Sequence, residues 1–187
     1  MKRVDRNVGK RAMEEILVNF PDISVVNACK KLDLNKKTVA NWGSGIYVPA
    51  AQGLRKLLLG GCDVRYILTG KRWKVAPKRH TGETAATIGE RALQELHRRF
   101  RGASAERVGK MLHIRPNFAQ NWAEGHAPDT YAMTALLYAG CDVEYILAGG
   151  GERNELSPMR PWIFDRKRQQ NDEQHKNAPE RMLQLRA

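Results

Sequence analysis

Apolar residues along this chain recur at steps of three and four, without strict alternation, and that spacing predicts helices rather than strands. Ala12, Ile16 and Leu17 fall on one helical face, and Val25, Ala28, Cys29 and Leu32 on a second. Further along, Ala92, Leu93 and Leu96, then Val108, Met111 and Leu112, repeat the arrangement. Two-residue hairpin signals such as Asn-Gly are missing between the runs, so no β-hairpins are expected. Asp22 or Ser24, and later Ser104, are placed to open a second helix, which in the first half ends near Leu32. Asp33-Leu34-Asn35 makes a short turn, with Asn35 a good N-cap for a helix from Lys36 to Trp42 that stops at Gly43-Ser44-Gly45. In the second half the turn is His113-Ile114-Arg115. Pro116 is expected at the first helical position, ahead of a helix from Asn117 to Trp122. Val39 and Trp42 are expected to point inward. The fold class predicted is all-α.

The pattern repeats because the chain contains itself twice. Residues 9–45 align with 89–125 at an offset of 80, with 11 identities in 37 pairs. After a one-residue deletion, residues 49–70 align with 128–149 with 11 identities in 22 pairs, far above chance in both segments. Asn41-Trp42 matches Asn121-Trp122, and Gly61-Cys62-Asp63-Val64 matches Gly140-Cys141-Asp142-Val143. Each copy reads as four to five short helices. The expected organisation is a first unit over 1–72, a basic linker over 73–87, a second unit over 88–150 and a polar tail over 151–187. The tail is expected to be weakly ordered, with a helix near 180–185.

Composition narrows the function. The net charge is +12, and residues 1–80 carry 17 Lys+Arg against 6 Asp+Glu, whereas residues 81–150 carry 7 against 8. Such a basic excess suggests a polyanionic partner, nucleic acid first and an anionic membrane second. The second copy, at net −1, is expected on this count to lack a basic surface. No apolar run approaches the ~20 residues of a membrane-spanning helix. The charged start shows no leader, so a cytoplasmic location is expected. Three cysteines, Cys29, Cys62 and Cys141, make no disulfide framework and suit a reducing compartment.

The order of features then carries a resemblance. A helix, a three-residue turn with a central aliphatic residue, a second helix ending in Asn-Trp, a glycine, then proline and a leucine-rich helix resembles the helix-turn-helix of phage CI-type (lambda-repressor-like) repressors. The closing Gly-Cys-Asp-Val-x-Tyr-Ile-Leu-x-Gly is similar to that family's last helix. The resemblance covers both copies, about two thirds of the chain. One departure is Phe118, which stands where the family usually carries a small polar residue. The resemblance implies a sequence-specific regulator of transcription that binds double-stranded DNA, a repressor in a phage or other mobile element.

The physical side of that expectation is specific. The major groove accepts one α-helix, which enters N-terminus first so that residues near that end face base edges. In the first copy these are Lys36, Lys37 and Asn41. Lysine donates to guanine O6 and N7, and asparagine pairs with adenine N6 and N7. Ser24, Asn35, Thr38 and Ser44 suit phosphates, which hold register without reading sequence. By position the second copy offers Asn117, Gln120 and Asn121 to bases and Ser104 and Arg115 to the backbone. Two roles stay open for that copy: direct DNA contact, or pairing chains into a homodimer through an apolar face that includes Phe118 and Tyr131. The basic pieces Lys2-Arg3, Arg6, Lys10-Arg11 and Lys71-Arg72 read equally well as solvated charge or as arms that follow the DNA backbone or minor groove.

Catalysis finds no footing. The five histidines are scattered, no Cys-x-x-Cys occurs, and no Gly-rich phosphate loop follows a strand. No catalytic residue, metal ligand, cofactor or small-molecule substrate is therefore expected. The competing class of function is a protein-interaction module, such as an antirepressor or an assembly adaptor, that uses the helical scaffold without DNA.

Overall fold

The computed structural model describes Asp5, residues 7–72 and residues 85–150. Every regular element among the described residues is a helix. The first copy holds α1 (Asn7–Asn19), α2 (Val25–Lys31), α3 (Lys36–Gly43), α4 (Ala51–Leu59) and α5 (Val64–Thr69). The second holds α6 (Ile88–Arg99), α7 (Ala105–Leu112), α8 (Phe118–Ala123), α9 (Thr130–Tyr138) and α10 (Val143–Ala148). None of these helices is long and apolar enough to cross a membrane. The expected linker, apart from residues 85–87, and the tail with its helix near 180–185 lie outside the described residues, as do Lys2-Arg3, Arg6, Trp73 and Trp162.

Side-chain oxygens open most of the helices. Ser24, Asn35 and Asp63 accept from backbone N–H groups of the turns they lead, and Ser104, Asp129 and Asp142 do the same in the second copy. Thr87 forms a reciprocal capping box with Glu90 at the start of α6. Glycine closes α5: Gly70 adopts φ +71°, a left-handed conformation that costs a glycine little and most residues much more.

The two copies bury apolar residues at largely equivalent positions, though not always of the same type. Ala12, Ile16, Ala28, Val39, Trp42, Leu54, Leu57 and Ile67 are buried in the first, and Ala92, Leu96, Val108, Trp122, Leu136 and Ile146 in the second. Leu17 departs from the expected face: it is half exposed, because the buried stripe of α1 runs through Val8, Ala12, Glu15 and Ile16 and leaves Leu17 beside it. Gly9 explains how closely α1 lies on the end of α3, since a Cβ there would stand 2.5 Å from the Tyr47 carbonyl oxygen and 2.7 Å from that of Trp42. Gly89 does the same against Trp122 and His126.

A polar frame ties the first helix of each copy to its last. Arg11 donates from Nε to the Ile67 carbonyl at 2.8 Å, and Arg91 donates to the Ile146 carbonyl at 2.8 Å. Both side chains thereby satisfy carbonyls at a helix C-terminus that have no intrahelical partner. Buried Glu15 accepts from the Asp63 N–H at 2.8 Å, and buried Glu95 accepts from the Asp142 N–H at 2.9 Å. Arg72 pairs with the other oxygen of Glu15 at 2.5 Å and lies over the Tyr66 ring. Arg11 and Arg72 are thus committed to the fold, which removes them from the basic arms that the sequence left open.

The two copies pack against each other reciprocally. Helix α4 meets α10, and α9, the counterpart of α4, meets α5, the counterpart of α10. Such an exchange is the pattern of a local two-fold, in which each partner uses the same patch. Arg65 donates to Glu144 across this junction at 2.6 Å, and Thr130 Oγ1 donates to the Pro49 carbonyl at 2.7 Å. All six residues of α10 are buried.

Candidate nucleic-acid interface

In the first copy the candidate reading helix is set up by its cap. Asn35 Oδ1 accepts from the N–H of Lys37 at 2.9 Å and of Thr38 at 3.4 Å, so the first turn of α3 is fixed before any ligand arrives. Val39 and Trp42 anchor the opposite face in the core. Lys36, Lys37 and Thr38 are exposed as a consequence. Asn41 is half-buried one turn on, and its side-chain amide makes no hydrogen bond among the described residues. Its carbonyl instead gathers the exit of the helix, accepting from Ser44 Oγ at 3.0 Å and from the N–H of Ile46 at 3.1 Å.

The electrostatics of this face are one-sided. Residues 23–62 carry six Lys+Arg and a single acid, Asp33. Lys56 takes that acid at 2.7 Å and holds its carboxyl below the ordinary carboxylate range. Lys30, Lys31, Lys36 and Lys37 are left exposed with no ion pair among the described residues. The turn before α3 places Asp33 at φ +50°, and the matching turn places His113 at φ +55°, so both copies bend the chain the same way.

The second copy diverges at the matching place. Helix α8 begins at Phe118, not at Pro116: residues 116–117 form a turn, and Asn117 stands at the N-cap with no side-chain cap bond. Phe118 is buried, edge-on to Trp122 with ring centroids 4.8 Å apart, and so is not part of an exposed pairing face. Its room comes from Gly109, where a Cβ would stand 2.9 Å from the Phe118 ring. The first copy has Cys29 and Thr38 at these two positions. Bulk has moved from one helix to the other.

The remaining second-copy candidates are only partly gathered. Asn117 and Arg115 are exposed, and Asn121 is half-buried with its amide unbonded among the described residues. Gln120 is exposed but donates to Glu124 at 2.9 Å, so it would have to leave that partner to meet a base. Tyr131 is half-buried on α9.

A basic feature that the net charge conceals lies at the α6–α7 junction. Arg98, Arg99, Arg101 and Arg107 line an open cleft of about 500 Å³ together with Phe100 and Met111. The first copy has Val18, Asn19, Pro21 and Asn27 at those positions. Arg98 is held by Glu95 at 3.0 Å, whereas Arg99, Arg101 and Arg107 form no ion pair among the described residues. Ser104, next in the chain to the lining residue Ala103, caps α7 by accepting from the Arg107 N–H at 3.3 Å. The second copy is therefore not short of a basic surface. Averaging over 70 residues cancels a local cluster against acids placed elsewhere. The run His97-Arg98-Arg99-Phe100-Arg101 is the signal in the sequence that marks it.

The cysteines play no part in this surface. All three are buried thiols, and burial with a nearby carboxylate (Glu15 for Cys62, Glu95 for Cys141) pushes Cys62 and Cys141 up to about 12. No group of three metal-ligating side chains occurs among the described residues. Comparison with family models, with curated proteins and with solved structures gave no match.

Proposed function

We propose that this chain is a sequence-specific, double-stranded-DNA-binding regulator of transcription, built as two tandem lambda-repressor-like helix-turn-helix units and acting in the cytoplasm as a repressor of a phage or mobile element. Helix α3 enters the major groove with Lys36 and Lys37 at base edges and Asn41 one turn behind. Ser24, Thr38, Ser44 and the neighbouring lysines meet phosphates. In the second copy Asn117 and Asn121 take the base-facing positions, and Arg99, Arg101, Arg107 and Arg115 supply backbone charge. Occupying an operator then blocks polymerase.

The observation that carries this reading is the pair of exposed, unpaired lysines at the start of a helix whose first turn is fixed by Asn35 and whose far face is buried. The test is selection of binding sites from random duplex DNA, followed by the Lys36→Ala, Lys37→Ala variant. A defined motif from the native chain, lost in the variant, supports the reading; an unchanged preference overturns the assignment of α3.

One observation favours the rival class. The first copy exposes Leu17, Val18 and Val26, where the second carries His97, Arg98 and Glu106. A protein-interaction module using that face would bind nucleic acid weakly and without salt dependence.

A further inference from the structure

We infer that a single chain, acting as a monomer, occupies a complete operator composed of two unlike half-sites in inverted orientation. The inference rests on the DNA-binding reading above and adds the symmetry of the partner.

The packing of the copies carries it. In a head-to-tail array one surface meets a different surface, and the contact of α4 with α10 would have no return. Here the return contact, α9 with α5, is present. The pair Arg65–Glu144 is decisive, because the 79-residue offset of the second segment makes them the same position in the two copies. A residue that meets its own counterpart marks a two-fold axis. That rotation carries α3 onto α8 and reverses the direction of reading, as the two halves of a symmetric dimer do on a palindrome.

The junction is nevertheless specific to unlike partners. Two chains joined through identical patches would set Arg65 against Arg65, or Glu144 against Glu144, like charges in place of the ion pair seen here at 2.6 Å. The Thr130 bond to Pro49 has no return either, since the counterpart of Thr130 is Ala51. The pairing surface is used within the chain, where α10 is buried between α4 across the junction and α6 of its own copy.

The two reading ends also differ in chemistry. The first presents two lysines ahead of Asn41, suited to guanine edges. The second presents Arg115, Pro116 and Asn117 ahead of Asn121 on a shorter helix, suited to adenine. A rigid two-fold with unlike ends matches a duplex whose halves lie about one helical turn apart and differ in sequence.

The experiment is site selection with the full chain, then native mass spectrometry of the selected duplex in complex. The expected result is one chain per duplex and a motif of two dissimilar blocks. Reversing the second block in place should then weaken binding at least about tenfold, because only one end stays engaged. A palindrome carrying two chains, or a single block indifferent to its flank, overturns this inference while leaving DNA reading intact. Failure to enrich any motif overturns the DNA reading, and this inference with it.

Discussion

Arg65 and Glu144 occupy one position in two copies of a duplicated unit, and they bond to each other, Nε to Oε1 at 2.6 Å. Both are largely withdrawn from water, Glu144 almost completely. Removing one charge takes this bond from the other inside the protein, and breaking such a buried pair costs about 3 kcal/mol or more, whereas replacing both by apolar groups is often close to neutral. Glu144→Gln should therefore lower the urea midpoint clearly, and Arg65→Met with Glu144→Leu should restore most of the loss. A midpoint that ignores Glu144→Gln would show that the pair contributes nothing to joining the copies.

Close approach of α1 to α3 makes a second expectation. Gly9→Ala places a methyl group against two backbone carbonyl oxygens that cannot swing away as a side chain would. Forcing bulk into a filled space costs about 1–3 kcal/mol, and Gly89→Ala should behave alike. Thermal melts of the two variants would check this. A neutral Gly9→Ala would mean that α1 stands off from α3 in solution.

Reading and stability should separate at α3. Lys36 and Lys37 are exposed, so replacing both by alanine should leave stability within about 0.5 kcal/mol of the native chain while abolishing site preference. Asn35→Ala removes the cap and should cost about 1 kcal/mol. Urea titration beside a binding assay measures both effects.

The arginine cleft should behave differently from the lysines. Substituting Arg99, Arg101 and Arg107 by alanine is expected to weaken binding on all sequences alike. The slope of affinity against salt should flatten by about one unit for each phosphate that no longer meets an arginine. A change of preferred sequence in that variant would assign the cleft to base reading.

Alkaline stability follows from the thiols. Cys62 and Cys141 are pushed up from an ordinary 9.0 to about 12. Below pH 9.0 the thiols are protonated in both the folded and the unfolded chain, and their burial contributes in full. As pH climbs from there toward about 12, the unfolded chain ionises first, so stability falls. Urea midpoints across that range should drop more steeply in the native chain than in Cys62→Ala, Cys141→Ala. Equal slopes would show that the thiols are not the groups concerned.

How much of the molecule is legible in the sequence differs by feature. The helical spacing, the caps at Ser24, Asn35 and Ser104, and the inward Val39 and Trp42 are readable because each is a local relation within a few residues. Leu17 escapes that reading because a periodic face does not say how wide a stripe the neighbouring helices cover. The start of α8 escapes it because Pro116 suits the first helical position in general. Here burial of Phe118 over Gly109 decides the register, and that exchange of bulk spans two helices. The pairing of the copies is not legible at all. Apolar residues on α4 and α9 look the same in a sequence whether they cover their own unit or another. The alignment sets Arg65 opposite Glu144 without saying that the two touch.

Glu15 and Asp63 stand 48 residues apart and share one of the bonds that close the first copy. A proteolytic fragment or an expression boundary that ended after α4 would keep every candidate DNA-contacting residue of that copy. It would also take from the buried Glu15 carboxylate its bonds to Asp63 and Arg72 and leave the Arg11 guanidinium without the carbonyls it tethers. The smallest piece of this protein able to stand alone is therefore set by where its internal polar frame shuts, well beyond the last residue that would touch a ligand.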